Sequence, residues 1–85
     1  MGRRRDEFTV LMDLLDVALN EVKVTHLMYK ANLSYSTLRK YLSTALNKGL
    51  IAKVHDSDGS EVYRTTKKGR ELLAKLRDIN NCLHE

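Results

Sequence analysis

Apolar residues recur along this chain at two periods, and the order in which those periods alternate lays out the elements. Phe8, Leu11, Met12, Leu15 and Leu19 share one helical face, with Asp6, Glu7, Asp13 and Asp16 on or beside the other, which predicts a first helix ending near Asn20. Asp6 and Glu7 suit the positive end of its dipole. Residues 21–24 suffice only for a strand stub, after which Thr25 is the expected N-cap of a second helix through Ala31. Asn32 and Leu33 form a turn. Ser34 then caps a third helix running to about Lys48, which Gly49 ends in the left-handed conformation glycine adopts most easily. Leu38, Leu42, Ala45 and Leu46 point inward from it, with Tyr35 at the edge of that face. Period-two alternation over Leu50 to His55 and Glu61 to Thr65, around Asp58-Gly59, predicts a β-hairpin. Thr66 caps a last helix carrying Leu72, Leu73, Leu76, Ile79 and Leu83, slightly weakened by Gly69 in its first turn. Tyr29, Tyr35 and Tyr41 lie beside leucines at helical spacing and read as core rather than as stacking platforms for single-stranded nucleic acid.

With 85 residues, of which 42% are hydrophobic and 31% charged, the chain closes one core and forms one domain. Its single cysteine, Cys82, rules out an internal disulfide and reads as a packing residue, so dimerisation is the expected reinforcement of so small a fold. No apolar run approaches the roughly 20 residues that cross a bilayer, and no secretory signal opens the chain, so a cytoplasmic location off the membrane is expected.

Charge changes the picture more. The net charge is only +4, yet residues 21–70 hold ten Lys and Arg against four Asp and Glu. A positive surplus in the middle of the chain is suited to a polyanion. The outward face of the third helix gathers Ser36, Lys40, Ser43, Thr44 and Asn47, flanked by Thr37 and Arg39, and the helix contains no acid. Ordinary solvated helix faces mix both signs, so this one can approach phosphates without repulsion.

Helix, stub, helix, turn, helix, hairpin, helix is the order of a winged helix-turn-helix domain, mainly α with a small β-hairpin. The expected organisation is a flexible basic arm over residues 1–5, the winged domain over 6–66 and a dimerisation helix over 67–85. Met28-Tyr29-Lys30-Ala31-Asn32-Leu33-Ser34-Tyr35, with Leu38, Lys40-Tyr41-Leu42 and Gly49-Leu50-Ile51, resembles the small archaeal winged helix DNA-binding proteins. Thr66-x-Lys68-Gly69-x-Glu71-Leu72-Leu73 resembles the start of their final helix, and the likeness spans residues 8 to about 80. That resemblance implies a third helix in the major groove, a wing on backbone or minor groove, an antiparallel coiled-coil homodimer, and a chromatin-like or transcriptional role.

Placed on this layout, Ser36, Thr37, Arg39, Lys40 and Ser43 are candidates for duplex contact from the third helix. Lys53, His55 and Arg64 are candidates on or near the wing, whose tip offers Ser57 and Ser60 but also Asp56 and Asp58, so the wing is expected to skim the duplex. Lys30 and Arg3, Arg4 and Arg5 add phosphate contacts. Leu72, Leu76, Ile79 and Leu83, spaced four, three and four, form the expected dimer seam, with Leu73 facing the first helix. His26, His55 and His84 have no metal-ligand spacing, and neither a phosphate loop nor an acid/base constellation is present, so no metal, cofactor, small-molecule substrate or catalysis is expected. The alternatives are a winged helix protein-interaction module, whose signature would be an apolar third-helix face, and a double-stranded RNA binder.

Overall fold

The computed structural model describes residues 7–83. Four helices and one hairpin follow in the order α1 (Glu7–Val17), α2 (Val24–Ala31), α3 (Tyr35–Asn47), β1 (Ile51–His55), β2 (Glu61–Thr65) and α4 (Lys67–Leu83). This is the winged helix-turn-helix arrangement, mainly α with a small antiparallel hairpin.

Helix α1 is the central element, packing against α2, α3 and α4. Its buried residues are Val10, Leu14, Leu15 and the adjoining Ala18; of the expected stripe Leu15 is buried and Leu11 and Met12 pack partly against the core, whereas its two ends do not. Phe8 is 61% exposed and Leu19 37%. The segment is apolar on most of its circumference, so spacing alone did not select the inward face. Its C-terminal carbonyls are satisfied by Thr65, whose hydroxyl donates to the Leu15 oxygen at 2.7 Å and whose amide donates to Ala18 at 2.9 Å.

The expected strand stub is a single bridge: Val22 and Tyr63 exchange both backbone bonds, at 3.1 and 2.7 Å. That bridge fixes the entry to α2, which starts at Val24 with Lys23 as an N-cap that makes no side-chain bond. Thr25 therefore lies inside the helix, not at its cap. At the other end Asn32 adopts the left-handed conformation (φ 56°), and Leu33 donates to Met28 to close the turn.

Ser34 caps α3 as anticipated, accepting the Thr37 amide at 3.2 Å. Gly49 (φ 73°) ends the helix, with Leu50 donating to the Ala45 carbonyl at 2.8 Å. In the hairpin Ile51 opposes Thr65, Lys53 opposes Tyr63 and His55 opposes Glu61. Directly opposed residues share a face, so Lys53, Tyr63, His55 and Glu61 lie together. Thr66 caps α4 by accepting the Gly69 amide at 3.0 Å, while its own hydroxyl reaches the Gly49 carbonyl at 2.6 Å. Lys68 Nζ donates to the Lys48 carbonyl at 2.8 Å. The start of α4 is thereby fastened to the exit of α3.

The core joins all of these elements through Val10, Leu14, Leu15, Leu27, Leu38, Leu42, Ile51, Tyr63 and Leu73. On α4, Leu73 packs inward as expected, but Leu76 is also buried, at 5% exposure, and so is no part of an outward seam. A helix that covers its own core uses its deepest stripe there, and Leu72 is half-buried, packing partly against that core. Ile79 is 48% exposed, and Cys82, read as a packing residue, is exposed. The side chain of Leu83, together with Arg3, Arg4, Arg5 and His84, lies outside the described residues.

Candidate nucleic-acid interface

Helix α3 is the second helix of the helix-turn-helix unit, held from behind by Leu38, Leu42 and Ala45. Its other side leaves Ser36, Arg39, Lys40, Ser43, Thr44 and Asn47 exposed, with Thr37 half-buried. Thr37 takes part in the cap, its hydroxyl accepting from Ser34 at 2.9 Å. Thr44 bonds back to the Lys40 carbonyl at 3.2 Å. No carboxylate interrupts this surface.

The two cations of α3 diverge. Lys40 lies over the Tyr41 ring, 5.6 Å from its centroid. Arg39 instead lies over the Tyr35 ring at 5.7 Å and donates to the Tyr35 hydroxyl at 3.1 Å. Arg39, Tyr35, Ser43 and Asn47 line one side of a groove of about 330 Å³, whose other side is Lys53, Glu61 and Tyr63 of the hairpin. The hydrogen bond to Tyr35 raises the already high pKa of Arg39, so it stays a cation.

Among the wing candidates, Lys53 faces this groove but lies 3.8 Å from Glu61. Arg64 belongs to the other hairpin face, opposite Ala52, and pairs with Glu21 at 3.1 Å. His55 is exposed at the end of β1, and Lys30 is exposed in the last turn of α2. The structure thus brings Arg39 and Lys53 to one groove and sets Arg64 apart from it.

The wing turn explains its own acids. Asp56 Oδ1 accepts the amides of Asp58 and Ser60, both at 3.1 Å, and Asp58 Oδ1 accepts Ser60 at 2.9 Å, with Gly59 at φ 85°. Hydrogen bonding with the Asp56 carboxyl, and then with Ser60, holds Asp58 well below the ordinary carboxylate pKa. Both side chains close the turn, and the Asp58 carboxylate keeps negative charge at the tip.

Two tyrosines depart from the sequence expectation: Tyr29 is 81% exposed and Tyr35 54%, whereas Tyr41 packs partly on the core. A phenol has an apolar body and a wet end, so helical spacing beside leucines does not bury it. The role of Tyr35 was the one missed, although its spacing of four before Arg39 is the sequence signal for it. Among the described residues no group of three potential metal ligands gathers, and no helix is long and apolar enough to cross a membrane.

Four helices with an acid-free second helix of the helix-turn-helix unit and a two-stranded wing define a winged helix-turn-helix protein. A family described as winged helix-turn-helix matches residues 4–84, and the chain belongs to it. An uncharacterised protein of Methanocaldococcus jannaschii is 36% identical over 82 residues, covering 95% of this chain, which spans only 36% of that relative's length. Sso10a-2, a DNA-binding protein from Sulfolobus solfataricus, shares the fold with a TM-score of 0.84 at 21% identity, over 94% of this chain and 83% of that one. A MarR family transcriptional regulator from Silicibacter pomeroyi does so at 0.77 and 24% identity, over 89% and 53%.

Proposed function

We propose that the chain binds double-stranded DNA as a regulator of transcription or a chromosome-associated protein, acting by binding and not by catalysis. The observation that carries this reading is the exposed, acid-free face of α3, with Ser36, Arg39, Lys40 and Ser43 presented by the second helix of the helix-turn-helix unit. A major groove admits one α-helix, whose first turns meet base edges while cations hold phosphates. The hairpin then follows the backbone beside it, its acidic tip opposing deep insertion. Hydroxyls and cations that serve several bases or phosphate alike give modest sequence selectivity. Lys30 and the arginines at residues 3–5 add phosphate contacts.

Pairing of two copies belongs to the same proposal. The distal half of α4, where Ile79 is uncovered, is the surface for it, since Leu73 and Leu76 are committed to the protomer. A twofold pair offers two reading helices to one duplex.

A salt-series titration of duplex DNA with wild type and Lys40→Ala tests the reading. The variant is expected to bind more weakly, with a salt slope shallower by about one counterion. Unchanged binding would move the contact away from α3, and stronger binding of duplex RNA in direct competition would replace the partner.

A further inference from the structure

Tyr35 stands one turn before Arg39, so their side chains share a face of α3. The phenol oxygen accepts from the guanidinium at 3.1 Å, and the guanidinium carbon lies 5.7 Å from the ring centroid. Arginine has many rotamers to lose on binding, and contacts that favour one of them beforehand lower that cost. The ring is 54% exposed, so Tyr35 is more than a core residue with an incidental neighbour.

The direction of this restraint matters. It holds Arg39 on the side of α3 that faces the hairpin, in the groove shared with Lys53 and Tyr63. Lys40, about 100° further round the helix, turns away over Tyr41. One contact to Tyr35 leaves the remaining guanidinium donors free, in the fork geometry that suits two phosphate oxygens.

We propose that Tyr35 is a positioning residue that fixes Arg39 in the slot between α3 and the hairpin, making Arg39 a clamp on one sugar-phosphate strand and leaving discrimination among bases to Ser36. The assignment rests on duplex binding by α3, and the experiment separates the two. Wild type, Tyr35→Phe, Arg39→Ala and the double variant are titrated by fluorescence anisotropy against two duplexes of different sequence across a salt series. Circular dichroism checks that each folds.

Arg39→Ala is expected to weaken both duplexes by the same factor and to lower the salt slope by about one. Tyr35→Phe keeps every charge, so it weakens binding about fivefold with the slope unchanged. In the Arg39→Ala background the same substitution has no further effect. In the free protein, nitrogen relaxation at Arg39 Nε shows greater mobility in Tyr35→Phe. Additive losses, or unchanged Arg39 mobility, would overturn the positioning role, and a change of sequence preference in Arg39→Ala would overturn the clamp. Failure of wild type itself to bind in dilute buffer refutes duplex binding, and the clamp with it; the relaxation measurement still reports whether Tyr35 restrains Arg39.

Discussion

Ser34 starts α3 by accepting the Thr37 amide at 3.2 Å. Ser34→Ala is expected to cost about 1 kcal/mol, which for a domain of this size lowers the thermal midpoint by roughly 4–8 °C, read from a melting curve. Glu61 is the opposite case, a residue whose removal should improve the site. Its carboxylate lies 3.8 Å from Lys53 in an exposed pair, where such contacts stabilise little. In the groove it opposes an incoming phosphate. Glu61→Gln is expected to tighten duplex binding a few-fold with little change in melting temperature, and weaker binding would place the strand elsewhere.

Elements whose ends carry their own chemistry were legible from the sequence. Ser34, Gly49, Thr66 and the Asp58-Gly59 turn all sit where capping and turn rules put them. What could not be read was orientation. Apolar residues cover a broad arc of α1, wider than the core needs, so Val10 and Leu14 became core while Phe8 did not. Two adjacent leucine stripes on α4 made Leu76 look available when it is buried. The cap of α2 was misplaced because the bridge at Val22, a contact 41 residues distant in sequence, decides where that helix begins. In the candidate site, charge and hydroxyl content were readable along α3, and so was the spacing of four between Tyr35 and Arg39, whereas the pairing of Arg64 with Glu21 required the fold.

Gly69 illustrates the same dependence. Helix propensity alone favours alanine there by about 1 kcal/mol. A β-carbon at that position, however, would overlap the Leu50 carbonyl oxygen and lie 2.7 Å from Thr65 Cγ2. Overpacking against backbone costs about 1–3 kcal/mol, so the clash wins. Gly69→Ala is expected to lower stability in urea unfolding, and a gain would show that α4 can shift freely on the hairpin.

At the scale of the molecule the described surface divides its labour. The proposed reading face and its groove lie on α3 and the hairpin, while the distal part of α4 leaves Ile79 uncovered beyond the last core residue, Leu76. A pair formed there loses its centre when a charge replaces the isoleucine. Ile79→Glu is expected to run as a monomer in analytical ultracentrifugation at concentrations where wild type is dimeric, with its secondary structure intact. Duplex affinity falls with it, because each head then binds alone. Wild type sedimenting as a monomer at every concentration would remove pairing from the proposal.

The fastening of α4 to the exit of α3 has a further consequence. Thr66, Lys68 and the close approach at Gly69 fasten the helix to the head within its first turn. One residue inserted beyond Leu76, the last described buried residue of the helix, would swing everything downstream by about 100° without altering the head. In the proposed pair the stalk would act like the beam of a caliper, its length setting the phase at which two stretches of duplex are gripped together.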